Sequence, residues 1–186
     1  MIALLFDTET SGLIFNHTVK LDQQPEVIEF YGCLADLSSE GQILKELDLL
    51  IKPSKPLSDK PNLGDKKSII DITGITNEML SDQPSFKQVA DDICNLLENA
   101  PVVMAHNVSF DMEMIDLEFE RLQRRVRWPT AICTVEATIY LKGTRLNLTN
   151  LHQWLFQAPF PDAHRAKPDT LAQLRCATEL FKRGII

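Results

Sequence analysis

The segment Ala3-Leu4-Leu5-Phe6-Asp7-Thr8-Glu9-Thr10-Ser11-Gly12 constrains this chain more than any other. Four apolar residues run directly into two carboxylates spaced i, i+2, and a Ser-Gly turn closes the run. An apolar stretch bounded in this way predicts a buried β-strand. Side chains two apart on a strand share a face, so Asp7 and Glu9 present both carboxylates to one spot. Two anions held that close repel unless a shared proton or a hard divalent cation lies between them. Alone, an Asp-x-Glu pair is more often just an acidic strand end; the rest of the chain decides.

At 186 residues the chain is expected to form one domain, 1–186, with a substantial core. No apolar run is long enough to cross a membrane, and no charged segment precedes the first apolar stretch as in a signal peptide. The first strand is expected from Ile2, with nothing ahead of the fold. Cys33, Cys94, Cys133 and Cys176 lie far apart with no Cys-x-x-Cys pair, which argues against a zinc ribbon or a disulfide framework. Reduced thiols in a cytoplasmic setting are the expectation. The net charge of −7 argues against a broad phosphate-coating surface. It leaves open an acidic site that grips a strand end, because bound divalent cations reverse the sign locally.

The elements alternate. A strand is expected over Ile2–Asp7, then a polar loop over Ser11–Pro25. Val27–Leu37 and Ile43–Ile51 read as a hairpin about Ser38-Ser39-Glu40-Gly41. Lys52–Asp65 is a Pro- and Lys-rich loop, and Asn77–Ala100 contains helical spacing. A short strand, Pro101–Ala105, leads into a helix marked by Phe110, Met114, Leu117, Phe119 and Leu122. That helix ends in a basic stretch, Arg121–Arg127. A strand over Thr130–Thr134 and helices near Leu146–Phe156 and Asp169–Arg183 complete an α/β chain with a mixed sheet.

Two further segments carry chemistry. In Ala105-His106-Asn107-Val108-Ser109-Phe110-Asp111 a buried strand ends, and Asp111 falls in the first turn of the next helix. Strand C-terminal ends are where open α/β sheets place ligands. The blander reading is an Asp complementing the helix dipole, with Asn107 or Ser109 as cap. In His164-Arg165-Ala166-Lys167-Pro168-Asp169, Pro168 suits a helix start and Asp169 its first turn, with His164 on the entering loop.

Together the three segments resemble the DEDDh 3′–5′ exonuclease family, most closely its polymerase-proofreading branch. The family's Asp-x-Glu-Thr-Thr/Ser-Gly is matched by Asp7–Gly12, its His-Asn-x-x-Phe-Asp by His106–Asp111, and its His-x-Ala-x-x-Asp by His164–Asp169. Ile72–Leu80 and Asn147-Leu148-Thr149-Asn150-Leu151 also resemble family segments, in the correct order. The resemblance implies a ribonuclease-H-like fold, a mixed five-stranded sheet flanked by helices. It implies hydrolysis from the 3′ end to nucleoside monophosphates with two divalent cations, Mg²⁺ or Mn²⁺, about 4 Å apart. It assigns Asp7 to both ions, Glu9 and Asp169 to one, Asp111 to the other, and His164 as general base. Thr10, Gly12, Leu13, Asn107 and Phe110 are the candidates for holding the terminal nucleotide. The implied substrate is single-stranded or frayed DNA, in proofreading or repair. RNA trimming is the alternative within the family, and a non-catalytic binding module is disfavoured by the complete acidic set. A DNA polymerase subunit is a further implied partner, although the flexible polymerase-binding tail of such subunits is not expected in a chain ending at Ile186.

The chain departs from the pattern in places. Lys167, Pro168 and Thr170 are atypical, and Lys167 is either a phosphate contact or a solvated lysine. Ile14–Pro25 and Pro56–Ile69, the latter with Lys60, Lys66 and Lys67, are longer than typical and read as surface insertions. Arg121, Arg124, Arg125 and Arg127 with Trp128 could grip a strand, but cations at a helix C-terminus also simply complement the dipole. A zinc site from His106, His152, His164 and Cys133 lacks ligand-pair spacing.

Overall fold

Strand β1 (Ile2–Thr10) organises the molecule. It is three residues longer than the apolar run alone predicts, because Thr8, Glu9 and Thr10 keep pairing with β2 (Val27–Asp36). The computed structural model describes residues 1–16, 18–61, 67–160 and 164–186, apart from the Tyr140 side chain. Lys66, named in the second expected insertion, lies outside the described residues, as does His17 in the first. β1 pairs antiparallel with β2 on one side and parallel with β4 (Val102–Ala105) on the other. β3 (Gln42–Leu50) and β5 (Thr130–Cys133) complete a five-stranded mixed sheet of order β3-β2-β1-β4-β5.

The β2–β3 hairpin forms where expected. A short 3-10 turn at Leu37–Ser39 follows Asp36, whose carboxylate accepts from the Ser38 N–H at 3.0 Å, and Glu40 and Gly41 then take positive φ. A Cβ on Gly41 would come within 2.7 Å of Thr178 Oγ1, so this turn requires glycine twice over.

Period-two alternation on β1 sends Leu4 and Phe6 to one face and Ala3 and Leu5 to the other. Leu4 and Phe6 pack with α3 (Phe86–Glu98) and α4 (Val108–Arg121) through Val89, Ile93, Met114 and Phe119. Ala3 and Leu5 pack against Leu174 and Ala177 of α7 (Ala166–Lys182). A third cluster gathers Ile28, Leu57, Ile75 and Leu80 about two short helices, α1 (Ile69–Thr73) and α2 (Asn77–Leu80). The helical reading of Asn77–Ala100 thus resolves into α2 and α3, parted by Ser81–Ser85 around Pro84. Gln88 re-nucleates the chain by accepting from the Ser85 N–H at 2.9 Å.

α5 (Thr134–Lys142) was not expected. Four of its nine residues (Thr134, Val135, Thr138, Ile139) are β-branched and it lacks a clean apolar face, so it reads as more strand. α6 (Leu148–Phe156) begins at Asn147, whose side chain accepts from the Asn150 N–H at 2.8 Å. Among the described residues, no helix is long and apolar enough to cross a membrane.

Candidate active site

The same alternation that splits the core distributes the carboxylates. Asp7 and Glu9 share the α7 face with Ala3 and Leu5, and α7 brings Asp169 to them. Ligand oxygens of Asp7, Glu9 and Asp169 all lie within 4.8 Å of one another, and each residue is half-buried. Thr8 points to the α4 face. There its N–H and its hydroxyl both donate to Asp111 Oδ1, at 2.9 and 2.8 Å. β1 runs on past the end of β4, and Asp111, fully buried in the first turn of α4, covers that overhang. Asp111 therefore stands beside the three-carboxylate cluster, tied to it through Thr8, rather than inside it.

The electrostatics follow from the crowding. Burial pushes the Asp7 carboxyl well above its ordinary range, and Asp111, Glu9, Asp169 and Glu29 add to the shift. Glu9 is pushed up to about 8, by burial first and then by Asp169, Glu29 and Asp111, with Arg165 opposing. Burial raises Asp111 against the two Thr8 hydrogen bonds. It raises Asp169 against the bond from the His164 N–H. Protons or a hard cation would relieve such a cluster. The residues fit a divalent cation: every donor is a hard carboxylate oxygen, and Asp169 Oδ1 is buried with no hydrogen-bond partner. Among the described residues this is the only such grouping, and the histidines and Cys133 do not assemble a zinc set.

His164 sits on the exposed loop entering α7. Its φ of 72° is a left-handed conformation that histidine adopts only occasionally, and its N–H donates to Asp169 Oδ2 at 3.0 Å. α7 begins at Ala166, three residues before the expected start. Pro168 is accommodated there because first-turn N–H groups have no intrahelical partner.

Glu29 was missed by sequence reasoning. It lies directly across the β1–β2 ladder from Glu9 and is almost fully buried. Two like charges so placed repel. Arg165 resolves the conflict with a fork: Nε contacts both Glu29 oxygens at 3.1 Å and Nη2 contacts Oε1 at 2.6 Å. Oε2 also accepts from the Ala166 N–H at 2.8 Å, which anchors the start of α7. The available signal was one glutamate inside the apolar run Val27-Ile28-Glu29-Phe30-Tyr31. Gln173, with its amide oxygen toward β4, accepts from the Ala105 and His106 N–H groups at 3.1 and 3.2 Å and ties α7 to the strand end.

The remaining candidates divide. Thr10 Oγ1 donates to the Gly12 carbonyl at 2.7 Å and shapes the turn. Leu13 is 65% exposed. Asn107 and Phe110 share with Leu13 the wall of a cavity of about 500 Å³. Asn107 occupies the N-cap position of α4 with φ 77°, yet its side chain makes no cap; its Oδ1 accepts from Arg145 Nη2 at 3.3 Å. His106 is structural. Nε2 faces the Leu146 carbonyl at 3.0 Å and must carry the proton, so Nδ1 accepts from Thr134 Oγ1 at 2.9 Å. Burial holds its pKa down at about 4. Two arginines of the basic stretch are engaged structurally: Arg121 donates to the Leu21, Gln24 and Pro25 carbonyls, and Arg124 pairs with Asp91. Lys167 lies against Asp48 and Glu46 and over the Tyr31 ring.

A mixed sheet of this order, with acidic groups drawn to the end of its central strand, is an α/β arrangement of ribonuclease-H-like fold, on which the chemistry must be argued from the site. The sequence profile of the RNase T exonuclease family matches residues 4–176, and the chain belongs to that family, as the DEDDh motifs implied. It is 30% identical over 184 residues to a PolC-type DNA polymerase III of Thermotoga petrophila, covering 98% of this chain and 12% of the relative. It is 29% identical over 153 residues to the DNA polymerase III epsilon subunit of Haemophilus influenzae, covering 80% of this chain and 54% of that subunit. The chain thus spans only part of the length of these relatives. The nuclease domain of 3′hExo, a DEDDh family member solved bound to rAMP, has the same fold at a TM-score of 0.75 and 15% identity, covering 99% of this chain and 93% of that one.

Proposed function

We propose that this exonuclease removes nucleotides from the 3′ end of single-stranded or frayed DNA, releasing nucleoside monophosphates, in proofreading or repair. The observation that carries the reading is the convergence of Asp7, Glu9 and Asp169 oxygens within 4.8 Å at the end of the central strand. In this reading Asp7, Glu9 and Asp169 hold one divalent cation, and Asp7 with Asp111 serves a second, both Mg²⁺ or Mn²⁺. When bound, such cations make water a better nucleophile at neutral pH and offset charge on the phosphate and the leaving 3′-oxygen.

The chain's own residues supply the rest. His164 takes the proton of the attacking water on an imidazole nitrogen, which requires a neutral ring. Its backbone N–H is bound to Asp169, so His164 stands beside the acidic cluster while its exposed ring can turn to the water. Glu29 and Arg165 hold the start of α7, and with it Asp169, in place. Leu13, Asn107 and Phe110 receive the terminal nucleotide, and Arg145 holds the Asn107 side chain. The polymerase III relatives support a cytoplasmic polymerase assembly as the setting.

A digestion panel tests the reading. End-labelled single-stranded DNA, matched duplex, mispaired primer and RNA are each incubated with Mg²⁺, Mn²⁺ or EDTA. Single strands and mispaired ends should be shortened from the 3′ end faster than matched duplex, and EDTA should stop all cleavage. Equal rates on matched duplex and single strands would sink the frayed-end reading. Faster trimming of RNA would make the chain an exoribonuclease.

A further inference from the structure

We propose that Phe15 is a stacking platform for the nucleobase adjoining the 3′-terminal nucleotide, an inference that rests on the exonuclease reading above. Phe15 is 54% exposed and stands two residues beyond Leu13. A lone exposed aromatic is ordinary; the way this one is held is not. Buried Gln24 accepts from the Phe15 N–H at 2.9 Å and donates to the Phe15 and Asn16 carbonyls, both at 3.3 Å. Arg121 of α4 in turn donates to the Gln24 and Pro25 carbonyls at 3.0 and 2.8 Å. Arg121 is paired with buried Glu118 at 3.1 Å, and Glu118 also accepts from the Val27 N–H. A continuous polar brace from α4 therefore fixes the backbone of the loop at Phe15 while leaving its ring in water, where it adds little to the core.

Phe15 also borders the candidate site. Phe15 and Leu13 line one side of the 500 Å³ cavity whose other side is Asn107, Ser109 and Phe110, the residues leading to Asp111. Phe15 thus shares the candidate nucleotide pocket with Leu13, Asn107 and Phe110. The charge balance makes stacking the natural source of strand affinity. The chain carries −7, and Arg121, Arg124, Arg165 and Lys167 are already engaged by carboxylates. Aromatic stacking binds any base without cations, because every base has a π-face. A base still paired and stacked in a duplex is not available to Phe15, so the platform selects frayed ends.

The test compares wild type, F15A and F15W, with Mg²⁺, on two substrates. One is a single-stranded oligothymidylate. The other is the p-nitrophenyl ester of thymidine 5′-monophosphate, which has no second base. F15A should raise KM for the oligonucleotide about 5- to 100-fold with kcat little changed, and should lose far less on the ester. F15W should restore the oligonucleotide KM. An unchanged oligonucleotide KM, or an equal loss on both substrates, would overturn the role of Phe15 while leaving the exonuclease reading intact. Wild-type protein inactive on both substrates would remove that reading and this inference with it.

Discussion

At the residue scale, the proposed reaction gives Asp7 the part of a charge and His164 that of a proton acceptor. Asp7 stands among other anions, Asp111, Glu9, Asp169 and Glu29. Asp7→Asn keeps the shape and removes one of the mutually repelling charges. Cleavage should become undetectable in a single-strand digestion assay. Thermal melting in EDTA at pH 8 should meanwhile match or exceed wild type, since the substitution relieves repulsion. Near-normal nuclease activity would show that this cluster is not the catalytic centre. His164→Ala should lower kcat by about 10²–10⁴-fold, the usual cost of losing a general base. Divalent-cation binding by calorimetry should persist, because the imidazole is not among the clustered oxygens. Undiminished turnover would send the proton elsewhere.

At the scale of elements, the start of α7 is where fold and site are joined. Glu29 on β2 holds Arg165 and the Ala166 N–H, so one strand side chain sets where Asp169 and His164 stand. Glu29→Ala leaves the Arg165 fork and the Ala166 N–H without their acceptor. The cost should be about 2–3 kcal/mol, below the roughly 3–5 kcal/mol of a fully buried broken pair, because Arg165 is itself 35% exposed. Urea denaturation measures it, and cation affinity should weaken in the same variant. A loss of stability with unchanged cation affinity would mean that the anchor serves the fold alone. β1 and β2 could be read from apolar runs bounded by turn residues, and α3 from apolar residues at helical spacing. α5 could not, since its β-branched residues favour a strand and two of its buried positions, Thr134 and Thr138, are polar rather than apolar. α1 is five residues long, and its one local sign was the Ser68–Asp71 capping box, in which each side chain bonds the other's backbone N–H.

For the whole molecule, the acidic cluster makes stability depend on pH and on cations together. Glu9 has an ordinary value of 4.5 and sits at about 8 in the folded chain. The cation-free folded state therefore binds more protons than the unfolded chain between those values, and stability falls as pH rises through that window. Asp7, Asp111 and Asp169 are shifted in the same direction. Melting in EDTA should drop steadily from pH 5 to pH 8.5, and Mg²⁺ or Mn²⁺ should restore it, with the larger gain at the higher pH. A melting temperature independent of pH in EDTA, with no response to either cation, would contradict the cluster's electrostatics. The Asp7–Gly12, His106–Asp111 and His164–Asp169 segments were legible by themselves because each carries its residues within a few positions, where strand and helix periods fix relative direction. Glu29 opposite Glu9, the Thr8–Asp111 bond and the Glu29–Arg165 fork join residues on separate elements, the last two 103 and 136 positions apart. Such partnerships depend on strand register and helix packing, which no local pattern encodes. The sequence alone therefore determined which chemical groups this protein has and on which elements they ride. Tertiary structure decided which of those groups meet, because only folding sets the distances on which charge repulsion and hydrogen bonding depend.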